Sequence, residues 1–80
     1  MKRYFDPENQ RYQYMVAATV NGYSLEALIV SSGDKVPLTP QVASQIGIVI
    51  PDNYRVQCCT REAAEDTLTQ LAEMNNWVEL

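Results

Sequence analysis

The chain has 80 residues, is 46% hydrophobic, and carries ten acids against six Lys/Arg, no histidine and a formal net charge of −4 at pH 7. This length predicts one domain over residues 1–80 with a modest core, and the apolar fraction excludes wholesale disorder. The absence of any run of ~18 apolar residues predicts no transmembrane helix, and the acidic balance argues against direct binding of a phosphate backbone, which needs Lys/Arg clusters.

Residues 1–10 read as a polar lead-in closed by the turn cluster Asp6-Pro7-Glu8-Asn9. Lys2 and Arg3 are not followed by an apolar segment, which predicts no secretory signal and a cytoplasmic location. Asn21-Gly22 is the favoured pair for a two-residue type I′ hairpin, because both central positions need positive φ. It lies between the apolar-rich segments Tyr12–Val20 and Tyr23–Val30. A two-residue loop there pairs Val20 with Tyr23, Ala18 with Leu25, Val16 with Ala27 and Tyr14 with Ile29, placing all eight on a core face. The opposite face then pairs Thr19 with Ser24, Ala17 with Glu26, Met15 with Leu28 and Gln13 with Val30. Met15 and Leu28 are expected to form an exposed apolar patch, of the kind that marks a homodimer interface.

Ser31-Ser32-Gly33-Asp34 ends the second strand. A short helix follows, with Thr39 as N-cap, Pro40 at its first position, Gly47 as its stop and an apolar face of Val42, Ala43 and Ile46. Ile48-Val49-Ile50 reads as the start of a strand, Pro51-Asp52-Asn53 as a turn or bulge, and Tyr54-Val56-Cys58, alternating with Arg55, Gln57 and Cys59, as a half-buried strand. Thr60 is suited to cap a long final helix over 61–76, and Trp77-Val78-Glu79-Leu80 to dock as a short edge strand. The order predicts an α+β fold: a small antiparallel sheet, built from the N-terminal hairpin and one or two further strands, with a short and a long helix packed on one face.

The charge is uneven. Residues 1–40 hold four basic and four acidic groups, and residues 41–80 hold two and six. In the final helix, Glu62, Glu65, Asp66 and Glu73 fall within about a third of the circumference, with Ala64, Leu68, Leu71 and Asn75 roughly opposite. The apolar side predicts core packing, and the acidic side then faces solvent or a cationic partner.

Catalytic chemistry finds little footing. Ser31, Ser32 and Ser44 have no histidine to activate them, and neither has Cys59. The adjacent pair Cys58-Cys59 offers no CxxC spacing, and with no histidine present no zinc site is expected. A phosphate loop is absent. The reading is a protein with no catalytic residue, no metal and no cofactor. Tyr4, Phe5, Tyr12, Tyr14, Tyr23 and Tyr54 suit base stacking in principle, but the charge opposes nucleic acid, and packing in a core or interface is the better account.

Val20-Asn21-Gly22, then Ala27-Leu28-Ile29-Val30-Ser31-Ser32-Gly33-Asp34, then Leu38-Thr39 through Ala43 and Ile46-Gly47-Ile48 resemble the first part of retropepsin-like aspartic proteases. That resemblance implies a strand, a turn and a second strand leading into a catalytic Asp-Thr-Gly loop. Here the catalytic Asp is replaced by Ser31 and the Thr by Ser32. Two close carboxylates must share a proton in that chemistry, and a serine hydroxyl cannot replace one. The resemblance thus implies a degenerate domain used for dimerisation or peptide binding, or else convergence on a common hairpin.

The leading functional expectation is a small acidic, non-catalytic binding protein. Glu62, Glu65, Asp66 and Glu73 would occupy the basic, nucleic-acid-binding surface of a partner protein, with carboxylates standing in for phosphates. In size, acidity and lack of chemistry the chain resembles, at the level of class, phage or mobile-element inhibitors such as anti-CRISPR proteins.

Overall fold

The computed structural model describes residues 2–80. In chain order the elements are β1 (Arg3–Asp6), β2 (Asn9–Thr19), β3 (Gly22–Ile29), β4 (Lys35–Pro37), α1 (Pro40–Ile46), β5 (Gln57–Cys58), α2 (Arg61–Asn75) and β6 (Val78–Glu79). The described residues form a six-stranded antiparallel sheet in the order β4-β3-β2-β1-β6, with β5 pairing the start of β3. The α+β architecture expected from the sequence is therefore the one observed. None of the helices described is long and apolar enough to cross a membrane.

Both helices start and stop where their caps dictate. The Thr39 hydroxyl accepts from the Val42 N–H and the Thr60 hydroxyl from the Ala63 N–H, each satisfying a donor that the helix leaves unpaired. Gly47 and Asn76 close the two helices in the left-handed conformation, with φ of 93° and 56°. The core joins Tyr4, Tyr14, Val16, Leu25 and Ala27 of the sheet to Leu38, Ala43 of α1, Ala64, Leu68, Leu71 and Ala72 of α2, and Trp77. Trp77 lies flat on Tyr14, ring centroids 3.9 Å apart and planes 3° from parallel.

Five expectations are corrected. The lead-in contains a strand: Arg3–Asp6 pairs with β2 on one side and β6 on the other. The hairpin register is offset by two residues, with Val16 opposite Leu25, Tyr14 opposite Ala27 and Thr19 opposite Gly22. An even offset keeps the side chains that remain paired on their expected faces, so Tyr14, Val16, Leu25 and Ala27 still enter the core, whereas Val20 passes into the loop, fully exposed, and Ala18 is also exposed. The loop is Val20-Asn21, and Asn21 does not take positive φ; Gly22 does, at 134°, as the first residue of β3. A Cβ at Gly22 would collide with the carbonyl oxygen of Cys58 on the adjoining β5. The glycine serves strand approach rather than a type I′ turn.

Ile48-Val49-Ile50 does not form a strand. The Asn75 amide donates to the Val49 carbonyl and accepts from its N–H, both at 2.8 Å, occupying the groups a neighbouring strand would have used. Of residues 54–59 only Gln57–Cys58 is strand. Tyr54 instead packs inward and donates its hydroxyl to the Leu38 carbonyl at 2.6 Å.

The fifth correction concerns the apolar patch. Met15 lies opposite Glu26 and Arg3, not Leu28, and is only 3% exposed. Leu28 lies opposite Gln13 and is half-buried. The patch is thus not openly apolar; long polar side chains border its centre.

Burial pushes the phenols of Tyr14 and Tyr54 well above the usual tyrosine range; nearby Asp6 and Tyr12 add to this for Tyr14, and Cys58 for Tyr54. A group whose folded pKa is raised supports the fold fully below its unfolded value, ~10 for tyrosine, and that support is lost as pH rises through the folded value. Denaturant midpoints should therefore hold to about pH 9 and fall as pH rises above ~10, and Tyr54→Phe should lessen the fall. Asn75→Ala should cost about 1 kcal/mol in chemical denaturation, because it removes both hydrogen bonds to the exposed backbone of Val49, which then turns to water.

Candidate functional site

The outer side of α2 carries the acids singled out in the sequence. Leu68 and Leu71 are almost wholly buried and Asn75 is held by Val49, so the rotation of the helix is set. Glu62, Asp66 and Glu73 consequently face solvent, and Glu65 is half-buried at the flank of the stripe.

The stripe divides into two parts. Glu62, Glu65, Asp66 and Thr69 border an open groove of about 420 Å³ whose remaining lining is Lys2 and Arg61. Three carboxylates and two cations share that groove. Below it a narrow cleft of about 50 Å³ runs between Val16, Ala18 and Tyr23 of the sheet and Arg61 and Glu65 of the helix. The Arg61 guanidinium sits 5.6 Å above the centre of the Tyr23 ring, at a distance suited to a cation–π contact. Glu73 stands apart, seven residues beyond Asp66 and so ~10 Å further along the axis.

Sequence reasoning found the four acids but not their countercharges. Arg61 was legible as the first helical residue. Lys2 was not, because placing it beside α2 depends on β1, which polar Arg3-Tyr4-Phe5-Asp6 did not announce as a strand.

Among the described residues, no group of three His, Cys, Asp or Glu is placed to hold a metal ion. The carboxylates spread along the helix rather than converging on a point, which suits contact with an extended surface. Cys58 and Cys59 are both free thiols, half-buried and exposed. A second concavity, about 230 Å³ between α1 and the outer strands, is lined by Tyr12, Ile29, Val36, Val42, Gln45 and Ile46 and holds no carboxylate, amine or thiol.

The segment resembling an aspartic-protease loop forms the connection between β3 and β4. Ser31, Ser32, Gly33 and Asp34 are all exposed. The Ile29 carbonyl accepts from the N–H groups of Ser32 and Gly33, and the Ile29 N–H donates to the Asp34 carbonyl, closing a tight turn. Ser31 therefore sits on a surface hairpin whose strands pair at once, Leu28 opposite Lys35.

No protein-family model, no curated protein and no solved structure matches the chain.

Two charges oppose the dipole of α2: Arg61 lies at its positive N-terminal end and Glu73 in its last turn, where no basic residue offsets it. Glu73→Lys should stabilise the helix by about 0.3–1 kcal/mol, read as a melting temperature higher by roughly 2–6 °C.

Proposed function

We propose that this chain is a non-catalytic binding protein that presents the outward face of α2 to a basic, nucleic-acid-binding surface of a partner protein, in the manner of small acidic phage or mobile-element inhibitors acting in the cytoplasm. The observation that supports this reading is the exposure of Glu62, Asp66 and Glu73 on a helix whose opposite side is buried in the core. Carboxylates ~6–11 Å apart along one rigid helix can engage successive Lys or Arg side chains of a nucleic-acid groove without ordering a loop on binding.

Lys2 and Arg61 refine the expectation. They offset part of the charge at the N-terminal end, so the partner surface there should itself be mixed, with an acid beside its basic groups. Asp66 and Glu73 carry the unopposed charge. Binding should depend on salt through a few ion pairs rather than resemble the steep slope of a phosphate polymer.

The test is affinity capture from the native cell with the wild-type chain and with Glu62→Lys/Asp66→Lys/Glu73→Lys, the retained proteins being identified by mass spectrometry. The expected result is a basic nucleic-acid-binding protein held by the wild type, released as salt rises, and lost with the triple variant. The variant should remain folded, since exposed substitutions each cost within about 0.5 kcal/mol. A partner retained equally by both chains, or insensitive to salt, would remove the acidic face from the function.

A further inference from the structure

The helices cover only one face of the sheet. On the other, the strand register sets out two rows: Arg3, Met15 and Glu26 across β1, β2 and β3, then Phe5, Gln13 and Leu28 across the same strands. None of these six belongs to the helix-side core cluster. Phe5 and Leu28 remain half-buried with no second layer above them, and Val78 and Leu80 continue the apolar surface at the β6 edge, 46% and 62% exposed.

We infer that this face binds a second copy of the same chain, about a two-fold axis running parallel to β2. The charge pattern selects both occupant and axis. Such an axis keeps the position along the strands and reverses the order across them. It sets Arg3 against the second copy's Glu26, Glu26 against its Arg3, Phe5 against its Leu28, and Met15 and Gln13 against themselves. Gln13 on the axis can donate to and accept from its own counterpart. An in-plane axis perpendicular to the strands through the Met15 row would instead set Arg3 against Arg3 and Glu26 against Glu26. Self-complementarity of one patch is the condition for an isologous dimer.

The size of the face sets the strength. Five strands ~4.8 Å apart, most carrying two same-face residues ~7 Å apart, give about 24 by 14 Å, or on the order of 350 Å² per copy. The total of about 700 Å² is below the size of a standard specific interface, so the dimer is weak and forms towards the millimolar end of the micromolar range. The acidic sides of α2 point away from this face, so dimerisation leaves both of them open.

The experiment is sedimentation equilibrium of the full chain from ~10 μM to ~1 mM, with Arg3→Glu, Glu26→Arg and the double exchange Arg3→Glu/Glu26→Arg. Circular dichroism and thermal melts of each variant establish that it is folded, and Lys2→Glu, on the helix side of the sheet, serves as a control of equal charge change. The wild type should dimerise in this range, each single reversal should weaken association about tenfold or more, and the double exchange should recover it. A wild-type chain monomeric at ~1 mM overturns the proposal, as does a dimer indifferent to both reversals, or one that the double exchange fails to restore.

Discussion

The stack of Trp77 on Tyr14 fixes how the last third of the chain lies on the first. Asn76 turns back in the left-handed conformation, so the chain leaves α2 towards the sheet instead of along the helix axis. The Trp77 N–H donates to the Ala72 carbonyl, and the indole then covers the buried ring of Tyr14 in the central strand β2. From there only one short step brings Val78 opposite Phe5, and β6 closes the β1 edge. Two large aromatic surfaces leave water together, which is among the stronger apolar contributions a domain of this size can make. The rotation of α2 follows from this anchor at one end and the Thr60 cap at the other. With Leu68 and Leu71 inward, the acids have no inward position available.

Much of this could be read from residue patterns, because local chemistry settled it. Thr39-Pro40 and Gly47 bound α1, and Thr60 begins α2, through side-chain and backbone preferences that act within one turn. The division of β2 and β3 into two faces was also legible, since alternation survives a register offset by an even number. Non-local contacts decided the rest. Gly22 is needed where it meets Cys58, 36 positions later, and not for the turn that its neighbour Asn21 suggested. The fate of Ile48-Val49-Ile50 turned on Asn75, an amide that substitutes for a strand. The first strand exists because β2 extends back to Asn9 and supplies a partner for Arg3–Asp6, a stretch with only two aromatic residues to mark it. At the candidate site the acids were visible from helical spacing alone, whereas Lys2 entered only through that first strand.

The charges on α2 are placed at some cost to the helix. Glu62 accords with the dipole; Arg61 and Glu73 do not. Arg61 has a compensating structural use, since its guanidinium covers Tyr23 beside the cleft under the groove. Glu73 has no ion-pair or hydrogen-bond partner among the described residues, and its burial is slight. A residue that weakens its own helix without an internal contact is more naturally explained by what it meets from outside. Under the proposed function Glu73 is the more accessible of the two to a partner, since Glu65 is half-buried and flanked by Lys2 and Arg61.

Two layers are all that 80 residues can build, and a two-layer α+β domain leaves one sheet face without a cover. This chain deals with that face by composition rather than by adding an element. Met15 sits at its centre and is only 3% exposed, with Arg3 and Glu26 opposite it on the neighbouring strands. Ser24, further along the same face, is 5% exposed, and the Gln57 side chain, paired in register with it, crosses β3 to donate to the Thr19 hydroxyl. These polar side chains act as a partial lid: they limit indiscriminate apolar association while leaving Phe5 and Leu28 accessible at the flanks. The sign and order of the charges on Arg3 and Glu26 are what any surface laid against this face would have to match.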